Sequence, residues 1–354
     1  MKKPKETVAS ETLANLQGVN HKKNAQVKWI NAAKFASIFL VVLYHCPPSI
    51  DGVAGLTLSY LIIPPFFFLA GLLFDFERHP SFIAFIKLRS RQLLIPYFCF
   101  FFFFYLVWLS VGRNLSSPEE MATPVYAPLL EYLYGRPLMV DWPLWFIAAL
   151  FSMQCVFYLF RKIDRRISVA VIFLLSLIPH LTDMSQTPWM LDSVCDALPY
   201  YAVASLYKKE IFRFMEMRSR FLIGFMLLII HFTCNLLLLG RPDMYLSLPT
   251  GFLCGFSVII PFFILIKGIA DKWEMHSPIQ YLAANTIIIL ACHTYVIRFI
   301  EILASRIIGD SFFDGQYALK TVIALTVMIS MSAPVYIINR YFPFVLGRGG
   351  KIGN

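Results

Sequence analysis

Charge is what this chain has least of. Only 15% of its 354 residues are Asp, Glu, Lys or Arg, against about 25% in soluble globular domains, so an ordinary water-exposed surface is excluded. Its seven cysteines (46, 99, 155, 195, 234, 254 and 292) include no C-x-x-C pair and mostly fall in apolar stretches. That pattern reads as unpaired small hydrophobes and not as a disulfide framework. The histidines are scattered without zinc-type spacing, so no metal is expected. Neither G-x-S-x-G nor a phosphate-cradling glycine loop occurs. The net charge of +10 is dispersed among short segments with no binding fold around it, which excludes nucleic acid as a partner.

Long apolar runs are there instead, among them "IIPPFFFLAGLLF", "LLIPYFCFFFFFYLVWLSV" and "FLIGFMLLIIHFTCNLLLLG". Each is close to the roughly 20 residues that cross a hydrocarbon core. The expected fold is an all-α polytopic membrane helix bundle partnered by the lipid bilayer. Ten spans are expected near 30–46, 57–74, 92–111, 143–160, 167–181, 196–207, 221–240, 249–267, 283–303 and 321–339. Residues 1–28 hold six lysines and no apolar h-region, so they read as a disordered cytoplasmic tail and not as a cleavable signal peptide. Residues 29–341 then form the membrane domain and 342–354 a second short tail. With the N-terminus in the cytoplasm, 24 of the 31 Lys and Arg residues fall on the inner side. Five (Arg113, Arg136, Arg241, Arg306 and Lys320) fall outside, which fits the positive-inside rule, an even number of crossings and both termini cytoplasmic.

Lys34 and Arg298 are the two basic residues left inside spans. Eleven residues of α-helix advance about 16 Å and turn three revolutions plus about 20°, so Lys34 and His45 share one face of the first span. Two readings are open. Either Lys34 snorkels to the inner headgroups and His45 sits at the outer interface, or the face lines a channel in which Lys34 holds an anion and His45 does proton chemistry.

The stretch "INAAKFASIFLVVLYHCPP" resembles the start of the acyltransferase 3 family, whose mark is a basic residue, ten residues and then His in the first helix. Lys34 stands where Arg is usual, as in the branch similar to fucose 4-O-acetylases. "PPFFFLAGLLF" resembles the second-helix pattern, with Ala70 replacing Ser before Gly71. In "FIKLRSRQLLIPYF" the family's Arg-x-x-Arg falls on Arg89 and Gln92, so the second arginine is missing and Arg91 lies one position early. "PLWFIAALF", "LPYYAVASLY" and "YLAANTIIILACH" are similar to later motifs, in the family's order over residues 29–300.

The resemblance implies an integral-membrane O-acyltransferase of the bacterial plasma (inner) membrane. Acetyl-CoA would be the donor, and a surface polysaccharide or its lipid-linked precursor the acceptor. His45 and Lys34 would be catalytic. Lys34 with Lys87, Arg89, Arg91 and Asn285 would hold the donor, although the basic cluster also reads as ordinary positive-inside charge. Asp141 and Trp145, four apart, suit a sugar, with a ring to stack on and an acid to accept hydroxyls; an interfacial Trp and a solvated Asp are the alternative. His293 and Arg298 are further substrate-binding candidates, against a structural hydrogen-bonder and a partner for Glu301. The rival class is a transporter or export component for a lipid-linked glycan; it should show paired discontinuous helices, and no such pair or internal repeat is visible.

Overall fold

The computed structural model describes residues 28–115, 121–182, 186–238, 248–307, 309 and 317–348, and no strand occurs among them. The expected N-terminal tail lies outside the described residues except for Lys28, which opens the first helix. Among the described residues ten principal helices follow one another, each overlapping one expected span. They are α1 (28–45), α2 (Gly52–Leu73), α3 (Phe82–Ser110), α4 (Trp142–Lys162), α5 (Arg165–Leu175), α6 (Leu191–Leu206), α7 (Arg220–Leu238), α8 (Leu248–Lys272), α9 (Thr286–Ile307) and α10 (Tyr317–Tyr341).

Among the described residues seven helices (α2, α3, α4, α7, α8, α9 and α10) are long and apolar enough to cross a membrane. The other three fall short for physical reasons. Two lysines lie in the N-terminal half of α1. The 11 residues of α5 rise only about 16 Å, and the 16 of α6 about 24 Å, against a core of about 30 Å. Yet half of α6 is buried. It buries Val194, Leu198, Tyr200, Tyr201, Ala202 and Ala204, so protein surrounds most of its surface and a long apolar exterior is not required.

Small residues set that burial. A Cβ at Gly71 on α2 would collide with the backbone carbonyl of Tyr201 and press on Ala204, so the two helices touch backbone to backbone, as small residues allow in membranes. Proline shapes two others. Pro64 and Pro65 restart α2 after a break at Ile63. Pro96 has no N–H to give the preceding turn, and residues Ser90–Leu94 of α3 widen into a π turn, a distortion frequent at functional sites. Exposed apolar side chains such as Phe103, Leu222, Phe225, Leu236 and Ile329 cover the outside of the bundle, as contact with lipid requires.

A cavity and a contact between two histidines fix how α1 and α9 lie. Lys34, Asn285 and Thr286 line one cavity together with Leu346, Gly347 and Arg348. Eleven residues further along α1, about 16 Å on, His45 meets His293. Helices α1 and α9 therefore run parallel, and Arg348 lies at the Lys34 end of the bundle.

Candidate active site

At the C-terminal end of α1 the His45 Nδ1 is 2.7 Å from the Val41 carbonyl oxygen, one turn back, and 3.1 Å from His293 Nε2. His293 is fully buried, and its Nδ1 lies 3.0 and 2.8 Å from the carbonyl oxygens of Ile289 and Leu290. Hydrogen-bond accounting then assigns both tautomers. Carbonyls only accept, so His293 carries its proton on Nδ1, and its Nε2 is left as an acceptor. His45 must therefore hold its proton on Nδ1, shared between Val41 and His293. His45 Nε2 is consequently the bare nitrogen of a neutral imidazole, and it is buried without a partner. A base with its lone pair uncommitted and its tautomer fixed by two acceptors is the arrangement a proton-abstracting histidine needs.

The surroundings hold this ring in place. The Trp142 ring lies edge-on to it at 4.8 Å, and Tyr44 at 5.3 Å. Lys320, buried on α10 and only 1% exposed, directs its ammonium at the carbonyl oxygens of Tyr44, Cys46 and Pro48. These are the acceptors left over where α1 ends, and a cation there also meets the negative end of the helix dipole. Sequence reasoning placed Lys320 among the outer loop charges. The only signal against that was its position within an apolar segment.

Lys34 belongs to a second place. With Arg91, Gln92, Asn285 and Arg348 it lines a cavity of about 520 Å³. Three cations face this space, and among the described residues no carboxylate lies within salt-bridge distance of Lys34. Arg91 Nε donates to the Gly347 carbonyl at 2.6 Å. Arg348 donates to Asn339 Oδ1 at 2.6 Å, and Asn339 Nδ2 to Asn285 Oδ1 at 2.9 Å. Asn285 sits in the turn before α9 and not on it. Of the five expected donor residues, Lys34, Arg91 and Asn285 come together here. Lys87 is exposed outside the cavity, and Arg89 faces the Phe85 ring and His79. Burial, and after it the Arg89 charge, keep the His79 imidazole below its ordinary range. Arg89 reaches the cavity only through Gln92, whose Oε1 accepts its guanidinium proton at 2.9 Å.

At the His45 end two more cavities open. One, of about 330 Å³, is lined by Trp108, Trp142, Thr294, Tyr295 and Arg298. The other, of about 410 Å³, is lined by Ser59, Trp145, His180, Ser193, Asp196 and Tyr200. The structure thus parts Asp141 from Trp145. Residues Trp142–Leu144 form a 3-10 turn and Asp141 precedes it in a non-helical conformation, so the four-residue helical spacing fails. Trp145 shares its cavity with Asp196, which accepts from His180 at 2.9 Å. Asp141 is instead 1% exposed, with both carboxyl oxygens unpartnered. Of the other acidic residues at this end, Asp192 pairs with Arg136 at 2.9 Å and Asp196 lines the cavity. Asp183, Asp243, Asp310 and Asp314 lie outside the described residues.

Among the described residues no three His, Cys, Asp or Glu side chains cluster as metal ligands. No curated protein and no solved structure matches this chain. A family model described as an acyltransferase domain matches residues 27–338, which takes in the His45–His293 pair and all but the last wall of the Lys34 cavity. On that match the chain belongs to the acyltransferase 3 family, and its apolar helices make it a membrane acyltransferase.

Proposed function

We propose that this protein is an O-acetyltransferase of the bacterial inner membrane. On this reading it moves acetyl from cytoplasmic acetyl-CoA to a hydroxyl of a surface polysaccharide or of its lipid-linked precursor. The observation that carries the proposal is the pairing of a basic cavity at one end of α1 with an uncommitted imidazole nitrogen at the other. Coenzyme A bears phosphates, and Lys34, Arg91 and Arg348 can meet them with charge-assisted hydrogen bonds. The cytoplasm is the source of acetyl-CoA, so the Lys34 end, with the described end of the chain at Arg348, faces inward.

A base must approach its proton to about 3 Å, and about 16 Å of helix separates Lys34 from His45. The two therefore serve different steps. Lys34 holds the donor. At His45 the acceptor hydroxyl oxygen attacks the thioester carbonyl, and His45 Nε2 takes the hydroxyl proton. The carbon–oxygen bond forms, the carbon–sulfur bond breaks, and the proton passes to the departing thiolate. The acceptor comes from the far side, where aromatic rings and polar groups (Trp142 with Arg298, Trp145 with Asp196) present the stacking faces and hydrogen-bonding groups that sugars use.

The test is to compare the acetyl content of surface glycans in cells with and without the gene. Purified protein in vesicles is then followed for transfer of labelled acetyl to a lipid-linked glycan fraction. Loss of acetylation on deletion supports the proposal. Unchanged acetylation of all glycans under expressing conditions, or glycan movement across vesicles with no use of acetyl-CoA, overturns it.

A further inference from the structure

Between the Lys34 cavity and His45 lies a fourth, much smaller space of about 30 Å³. Its walls include Ile38, Val41, Phe66, Phe146, Ile287 and Leu290. Two features place it on the route of the donor. Ile287 also lines the Lys34 cavity, so the two spaces share a wall. Val41 and Leu290 give the carbonyls that fix His45 and His293, so its other end adjoins the base. Apart from Thr286 the walls are apolar, and four of them are buried: Ile38 and Val41 are 1% exposed, Leu290 6% and Phe146 8%. Phe146 is itself braced by Phe67 and Phe66, at ring separations of 4.9 and 5.7 Å.

We propose that this space is the acyl-selecting pocket, seating the methyl of a two-carbon acyl group beside His45 and excluding chains of four carbons or more. The inference rests on the acetyl-CoA reading above and adds to it the place where the length of the acyl group is selected. By the same measure the space is under a tenth of the Lys34 cavity, a size that favours a short acyl group over a longer one. Protein interiors pack like crystals and yield poorly to an added methylene. A hydrophobic pocket discriminates by roughly 10- to 200-fold per methylene, so two extra methylenes are rejected at least tenfold. Isoleucine, valine and phenylalanine suit such a wall, since their few rotamers leave little freedom to make space.

The experiment measures binding of CoA, acetyl-CoA and butyryl-CoA to the purified full-length protein in nanodiscs by calorimetry, with CoA as the internal reference. Wild type is expected to prefer acetyl-CoA to butyryl-CoA by at least tenfold. Phe146→Leu, which opens the wall, should narrow that preference about tenfold. Ile38→Val, a smaller opening that removes one methyl, should narrow it less and supplies the reading if Phe146→Leu fails to fold. Equal binding of acetyl-CoA and butyryl-CoA by wild type overturns the proposal, and so does a preference that neither substitution alters; the space is then a packing void. Those results leave the acyltransferase reading standing, provided CoA binds. Failure of CoA and of both thioesters to bind removes that reading, and the pocket with it.

Discussion

Replacing His293 with phenylalanine keeps a ring in a fully buried position but removes the acceptor 3.1 Å from His45 Nδ1. The Val41 carbonyl at 2.7 Å remains, so the His45 tautomer survives and only one of two restraints on the ring is lost. A hydrogen bond is worth about 0.5–1.5 kcal/mol net, and about 1.4 kcal/mol is tenfold in rate. His293→Phe should therefore lower kcat by roughly two- to twelvefold, whereas His45→Ala should lower it by about 10²–10⁴-fold. KM for acetyl-CoA should hold in both, because the Lys34 cavity lies about 16 Å away along α1. His293→Gln, which keeps an oxygen acceptor, should recover most of the loss; a role in mere packing would not be rescued this way. The assay is the initial rate of labelled acetyl transfer in membrane vesicles, with protein amount and thermal midpoint measured in parallel. A His293→Phe protein as inactive as His45→Ala, or one weakened chiefly in donor affinity, would refute the assignment of His293 as a positioning residue.

At the other end of α1, Lys34→Ala should raise KM for acetyl-CoA with little change in kcat, and Lys34→Arg should be tolerated; donor titrations of transfer rate check both. Lys320→Met should cost at least about 1.5–3 kcal/mol, the worth of a hydrogen bond from a charged group, and should depress kcat by loosening the end of α1; thermal unfolding alongside rate measures it. Gly71→Val drives side-chain atoms into the Tyr201 carbonyl, and overpacking of this kind costs about 1–3 kcal/mol, read as a lower thermal midpoint in detergent. A reporter fused after Asn354 should be active only in the cytoplasm, and activity confined to the far side would invert the proposed orientation.

The helices were legible because their signal is local. A run such as Ile95–Val111 can satisfy its backbone in lipid only as a helix, and no distant residue alters that requirement. The number that cross was less legible, because α5 and α6 are apolar yet short, and their surroundings decide what length they need. Leu191–Leu206 is enclosed by α2 through Gly71 and Ala204. Nothing local to residues 191–206 reveals that enclosure. The same holds for Asp141 and Trp145, whose separation follows from a single 3-10 turn at Trp142–Leu144, and turn types of three residues leave little trace in hydrophobic spacing.

What could be read of the site depended on whether its residues lie on one helix. Lys34 and His45 share α1, so helix geometry alone fixed both their common face and their separation. His293 was visible as a buried polar residue, but its contact with His45 spans 248 positions and follows from the parallel packing of α1 and α9. The cavity at Lys34 makes the same point through a substitution. The motif's second arginine is Gln92 here, and read alone that is a missing cation. In the folded chain Gln92 lines the cavity and accepts from Arg89, while Arg91 reaches the cavity from the π turn and Arg348 arrives from 256 positions beyond Gln92. An anion senses the charges that surround it and not their order along the chain. The departure from the motif therefore redistributes the positive charge around the cavity without abolishing it. The residue that makes up the difference, Arg348, lies past the last helix, where no periodic pattern pointed to it.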